Sequence, residues 1–406
     1  MDSSTTLIAV TIAVALLFDF TNGFHDTANA VATAIATGAL RPKVAVAMSA
    51  VCNLAGAFVS VAVAKTISGG IIDEHAGIRP PVILAALAGA VLWNLATWLL
   101  GIPSSSSHAL VGGLIGATVA SVGLQGVNGT AVVGKILVPA VLSPLIGGVV
   151  AYAATRAAGR LSDPGRGAGR AEQAGRAEQA GRAERAAERA GGRGARAGQV
   201  LAAALVSLAH GTGDGQKTMG VITLTLVTAG SLPAGSAPPL WVIVTAGLTM
   251  ALGTYTGGWR IIRTLGTGLT RLGPRQGCVA QTSAAAVLLT TSHLGFAVST
   301  THAVTGSVAG AGLATPGGVL SRTTVRAMLV SWVLTLPAAG LVAALAALLT
   351  EQGAWGQGAT VALLVCAALA FWARSRRTAV TARSVAPQTA PSAAGSTAAA
   401  PTTAAA

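Results

Sequence analysis

Long apolar runs recur along this chain, at roughly 5–20 (resuming after a polar break and reaching about 40), 43–64, 82–100, 107–123 and 131–155. A second series follows at roughly 199–229, 238–258, 278–294, 302–314 and 325–349, with one more near 356–373. Most approach the roughly 20 residues that a helix needs to cross a bilayer. Composition agrees. With 52% hydrophobic and only 9% charged residues, and a mean hydropathy of +0.67, a water-soluble globule would leave far too much apolar surface in water. The expected fold class is an all-α polytopic membrane protein.

The formal charge of +14 and pI near 11.4 point less to nucleic acid than to membrane orientation. Most of the arginine lies in one central segment and in short loops between apolar runs. With the N-terminus outside, the cytoplasmic side receives Arg41, Lys43, the Arg-rich insert, Arg260, Arg263, Arg271, Arg275, Arg322, Arg326, Arg374, Arg376 and Arg377. The outside keeps Lys65, Arg79 and Lys135. The bias toward basic cytoplasmic loops therefore predicts a multi-pass protein of the cytoplasmic membrane, N-terminus out and C-terminus in. Membrane lipids are expected partners and nucleic acid is not. Cys52, Cys278 and Cys366 each sit in an apolar run without CxxC spacing, as small packing residues do. The first eighteen residues lack the basic start and cleavage site of a signal peptide, so they are taken as the first span.

Between the two series lies "GRAEQAGRAEQAGRAERA", too polar for lipid and without an apolar stripe. The resulting organisation is a first transmembrane repeat at about 1–155, an Arg/Ala/Gly-rich cytoplasmic linker at 156–198, and a second repeat at 199–349. An extra C-terminal span at about 350–377 and a disordered tail of Ala, Thr, Ser and Pro at 378–406 complete it. An odd number of crossings per half makes homologous halves inverted. Two motif pairs support this: "NGFHDTANA" aligns with "HGTGDGQKT", and "GIPSSSSHALVGG" with "GFAVSTTHAVTGS". The alignment superposes Asp26 on Asp214, Asn29 on Lys217, Ser105 on Ser299, the pair Ser106 and Ser107 on Thr300 and Thr301, and His108 on His302. Inverted repeats with polar motifs that break hydrophobic helices mark a secondary transporter with its site near the midplane. The runs at 107–123 and 302–314 are short for spans and suit arms of re-entrant hairpins.

An ionised aspartate at the bilayer centre costs about 2.5–3.5 kcal/mol on insertion scales. Asp26 and Asp214 are therefore candidate cation or proton sites, against the alternative that they cap helix ends or pair with Lys217. Asn22, Asn29 and Gln216 offer carbonyl oxygens and amide donors, or simply interhelical hydrogen bonds. Ser105, Ser106, Ser107, Ser299, Thr300 and Thr301 gather hydroxyls at helix starts, where free N–H groups and the dipole favour an oxyanion. Ser105, Ser106, Ser299 and Thr300 are the leading donors; N-capping is the plainer role for such residues. His25 and His210 are candidate relays or structural hydrogen-bonders, as are His108 and His302. Two charges about 6 Å apart at an effective dielectric near 20 repel by roughly 3 kcal/mol, so an anion beside bare carboxylates is disfavoured. A cation on the aspartates removes that penalty and links the two ligands, which is the thermodynamic core of symport.

These motifs resemble the Pit-type inorganic phosphate transporters. The stretch "FTNGFHDTANAVATAIATGAL" nearly reproduces the first signature of that family. "HGTGDGQK" reproduces the second except that Gly213 stands where Asn is usual, and Ala297 replaces the proline that often precedes the second Ser/Thr-His motif. The resemblance covers nearly the whole chain outside the insert and tail. It implies import of inorganic phosphate by a low-affinity carrier, with Asn29, Gln216 and Lys217 joining the hydroxyls around phosphate. A proton is favoured over sodium as the coupling ion, and some relatives carry phosphate as a divalent metal complex. No resident metal or other cofactor is implied beyond these passengers. A homodimer stays open. The alternatives are a permease for sulfate or another oxyanion, and an ion channel; an intramembrane hydrolase lacks a GxSxG turn, so no enzyme activity is expected.

Overall fold

Proline and glycine set most of the helix boundaries, and the apolar composition fills the helices between them. The computed structural model describes residues 3–72, 77–161 and 177–386. In chain order the helices are α1 (Ser3–Ala36), α2 (Pro42–Gly56), α3 (Ala62–Gly69), α4 (Pro80–Leu100) and α5 (Ser106–Val122). After a 3-10 turn come α6 (Gly129–Val132) and α7 (Val138–Leu161), joined through a π-helical turn, and then α8 (Ala177–Thr228). α9 (Leu240–Thr256), α10 (Trp259–Arg263), α11 (Pro274–His293), α12 (Thr300–Ala314), α13 (Arg322–Thr350), α14 (Ala354–Arg377) and α15 (Ala382–Val385) complete the order. Among the described residues the only β pairing is an isolated bridge between Ile72 and Val127.

Pro42, Pro80 and Pro274 each open a helix, where the missing N–H is harmless. Gly101 closes α4 in the left-handed conformation at φ 68°. Among the described residues, five helices are long and apolar enough to cross a membrane: α1, α4, the α6–α7 unit, α13 and α14. The bent pair α9–α10 makes a sixth if counted as one span. The remaining apolar runs do not each form such a helix. The run at 43–64 divides into α2 and α3, and α5 and α12 are short and close hairpins with α4 and α11. Large apolar side chains on α7, α13 and α14, such as Val149, Val333, Leu341 and Leu363, face outward. That belt suits lipid and not water.

The polar signatures were expected to interrupt their helices, and they do not. α1 runs unbroken through Asn22–Ala30, and α8 through His210–Thr218. Neither signature contains proline, and the hydroxyls of Thr21 and Thr27 turn back onto carbonyls of their own helix. The other polar groups point sideways at neighbouring helices, so the backbone ladder need not open. The breaks fall elsewhere, between α2 and α3 and at Gly257–Gly258, where α9 and α10 bend by 58°. The insert expected as a linker is also partly helical, because α8 begins at Ala177; residues 162–176 lie outside the described part, as does the tail beyond 386.

Close backbone contact locks the two signature helices in place. A methyl on Gly23 of α1 would collide with the Met250 carbonyl of α9, and one on Gly253 with the Phe20 carbonyl of α1. The same device joins α8 to α2, where Gly211 meets the Asn53 carbonyl and Gly56 the Leu208 carbonyl. Small residues at such crossings let membrane helices pack on their backbones.

Candidate functional site

Helical spacing places Asp19, Asn22, Asp26 and Asn29 along one stripe of α1, and His210, Asp214 and Lys217 along one stripe of α8. All seven side chains are buried. The two stripes meet: donor atoms of Asp26, His210 and Asp214 all lie within 4.8 Å of one another. The chain therefore brings its two signature carboxylates into one cluster, although they are far apart in sequence.

In the first half, His25 Nδ1–H donates to Asp26 Oδ1 at 2.6 Å, and the Ser106 hydroxyl donates to Oδ2 at 2.7 Å. The far nitrogen of His25 lies 3.1 Å from the Thr97 hydroxyl and 3.2 Å from that of Ser104. In the second half, the Lys217 ammonium donates to Asp214 Oδ1 at 2.5 Å, and Thr300 donates to the same oxygen at 2.9 Å. His210 Nε2 stands 3.5 Å from Asp214 Oδ2, and neither atom has a hydrogen bond. The other His210 nitrogen is 3.2 Å from the Asn53 side-chain oxygen, which fixes the ring. Two atoms left unpaired and facing the Asp26 carboxylate form a donor set of oxygen and imidazole nitrogen, which suits a cation.

The halves also reach across to each other. Asn29 donates to Thr301 at 3.0 Å, while Lys217, its counterpart, donates to Ser107. Lys217 further reaches the Val298 carbonyl at 3.3 Å. The α5 and α12 hydroxyls thus split by role. Ser106 and Thr300 bind the carboxylate of their own half; Ser107 and Thr301 bind the polar side chain of the other. Ser105 and Ser299 act as N-caps, accepting from the His108 and His302 amides at 3.2 and 3.4 Å, and keep their O–H protons free to donate.

Several expected residues are placed differently. Gln216, expected among the phosphate ligands, caps α3 instead: its Oε1 accepts from the Val63 and Ala64 amides at 2.7 and 3.2 Å, and its amide donates to the Thr212 carbonyl. Both ends are engaged, so it holds the α2–α3 break to α8. Asn22 is fully buried, yet neither side-chain atom has a partner. His108 and His302 stack edge to face at 4.8 Å and line a cavity of about 640 Å³ with Trp332, Pro144 and Pro337. At Gly213 a side chain would begin 2.8 Å from the Ser292 hydroxyl of α11.

The residue analysis missed Asp19, Thr97, Ser104, Asn53 and Thr218 as neighbours of the site. Asp19 was legible, because it lies seven positions before Asp26 and so on the same stripe of α1. Ser104 opens the serine run that precedes α5 and was legible there; Thr97 and Asn53 come from α4 and α2, and no local pattern announces them.

Residues 22–343 match the phosphate transporter family. A protein of Mycobacterium tuberculosis named "Probable low-affinity inorganic phosphate transporter" is 50% identical over 374 residues, covering 91% of this chain and 84% of that one. One of the same name from Bacillus subtilis is 37% identical over 347 residues, covering 85% of this chain and 98% of that one. Among solved structures, "The sodium-dependent phosphate transporter" superposes with a TM-score of 0.73 at 22% identity, covering 86% of this chain and 99% of that chain; at that identity the likeness is one of fold.

Proposed function

The chain belongs to the phosphate transporter family, and we propose that it imports inorganic phosphate across the cytoplasmic membrane by cation symport, with the proton favoured over sodium. The observation that carries this reading is the convergence of Asp26, Asp214 and His210 within 4.8 Å, ringed by hydroxyls from both α5 and α12.

Phosphate needs donors, and Ser105, Ser106, Ser107, Ser299, Thr300 and Thr301 supply O–H groups beside two helix starts, with Asn29 and Lys217 adding N–H groups. At rest many of these donors point at carboxylates or at each other. A cation bound by Asp26, Asp214 and His210 takes over the carboxylate charge and frees Ser106 and Thr300 to turn toward an anion. That exchange makes cation binding and phosphate binding mutually favourable. Phosphate arriving with a divalent metal would bring positive charge to the same carboxylates, so a metal–phosphate complex is a compatible cargo.

The proton is favoured for two reasons. Lys217 occupies the place of Asn29 and puts an ammonium on Asp214, which replaces one mobile cation. On the other side, Asp26, His25 and the Ser104 and Thr97 hydroxyls form a chain along which a proton can pass. The two halves act in this reading as inverted repeats that rock or gate against each other, with the N-terminus outside. The matching glycine contacts of α1 with α9 and α8 with α2 support that pairing.

The test is uptake of labelled phosphate by reconstituted vesicles under separately imposed pH, sodium and divalent-metal gradients, with sulfate as competitor. Accumulation driven by a pH gradient is expected. No accumulation under any gradient rejects symport, and stronger competition by sulfate than by unlabelled phosphate reassigns the substrate.

A further inference from the structure

One buried carboxylate is not used in this scheme. Asp19 is fully buried in α1, two turns before Asp26, and neither of its oxygens has a hydrogen-bonding partner. One turn later on the same stripe, Asn22 is equally buried with both its amide atoms unpartnered. Across the α1–α8 contact, the Thr218 hydroxyl is the polar group that faces the Asp19 carboxylate, and it lies short of good hydrogen-bond geometry. Buried polar groups are nearly always bonded, and each one left unpaired costs about 1–3 kcal/mol. Three such residues on facing helices therefore call for a ligand.

Charge narrows its nature. The cluster contains the carboxylates of Asp19, Asp26 and Asp214 against one fixed ammonium, and Lys217 is already engaged with Asp214, Ser107 and the Val298 carbonyl. Asp214 and Lys217 are the charged groups within electrostatic range of Asp19 from α8. Asp26 has His25 and Ser106 as donors; Asp19 has none. An unpaired ionised carboxylate is the least tolerable group in a low-dielectric interior. Its neighbours offer an amide carbonyl and a hydroxyl, oxygen donors that suit a small hard monovalent cation and lack the thiolates or imidazoles of a transition-metal site.

We propose that Asp19, with Asn22 and Thr218, is a further cation-binding site, which loads a monovalent cation (a proton on the carboxylate, or an alkali ion through the oxygens) alongside the Asp26–Asp214 site. It rests on the symport reading and adds a passenger to it. Each co-transported cation multiplies the attainable phosphate accumulation by one further power of the cation gradient.

The test compares wild type with Asp19→Asn in vesicles, reading the limiting phosphate accumulation as a function of imposed gradient size, with pH and sodium gradients in separate arms. On logarithmic axes the slope is expected to fall by one in Asp19→Asn, about a tenfold loss of accumulation in a tenfold gradient. The arm in which it falls identifies the cation. A wild-type slope in Asp19→Asn overturns the site while leaving symport intact; a wild-type protein that accumulates nothing overturns symport and this site together. If Asp19→Asn does not yield monodisperse protein, Thr218→Val decides. It is expected to raise the half-saturating cation concentration several-fold with the maximal uptake retained, and an unchanged half-saturation overturns the site.

Discussion

The two signature aspartates occupy matching positions on α1 and α8, yet they are neutralised by different chemistry. Asp26 is held by an imidazole and a hydroxyl; Asp214 is held by a lysine side chain and a hydroxyl. The contrast teaches that aligned motifs need not carry matching charge. One helix supplies a lysine beside its aspartate, and the other supplies a histidine.

The largest expected effect breaks the comparison altogether. Asp26→Asn and Asp214→Asn should each abolish gradient-driven accumulation, because phosphate binding then no longer depends on a cation; vesicle uptake checks this, and normal accumulation by either variant removes that residue from the coupling site. Next in size, Lys217→Asn makes the second half resemble the first. Loss of the lysine's charge leaves the Asp214 carboxylate to a further mobile cation, so uptake should depend more steeply on cation concentration. Uptake titrated against pH and sodium measures it, and an unchanged steepness would show that Lys217 is only a salt bridge.

His25→Gln sharpens the other side of the contrast. It keeps a donor near Asp26 but removes the exchangeable proton, so the pH dependence of uptake should flatten while expression stays normal. His210→Gln on α8 should instead weaken cation binding, because Nε2 belongs to the cluster of donor atoms. A smaller and symmetric effect concerns packing. Gly23→Ala and Gly211→Ala should each destabilise by about 1–3 kcal/mol, since neither facing carbonyl has room to retreat; thermal denaturation in detergent reads the loss. Smallest in stability, Ser105→Ala and Ser299→Ala remove equivalent N-caps at about 1 kcal/mol each, beside any loss of phosphate donors.

How far these features were legible depends on whether they are local. Apolar length, basic loops and the motif pairs are properties of adjacent residues, so membrane class and the candidate carboxylates could be read directly. The alignment matched Ser106 with Thr300 but took both as phosphate donors; their bonds to Asp26 and Asp214 depend on how α5 and α12 dock, which no local pattern shows. Gln216 was misplaced because its partner is the start of α3, a break that no residue pattern in the 43–64 run announces. The continuity of α1 and α8 escaped for a related reason. Polarity in a membrane helix suggests a break only when the polar groups must bond to backbone, and here side chains from α2, α4, α5 and α12 receive them.

Equilibrium binding of phosphate to purified protein across a range of pH, at fixed sodium, tests the linkage between cation and anion most directly. Comparing wild type with the Asp26→Asn/Asp214→Asn double variant cancels the titration of phosphate itself. Wild-type affinity should tighten as protons are added, with a slope that the double variant loses. Parallel curves for the two proteins would contradict the claim that these carboxylates make the anion wait for its cation.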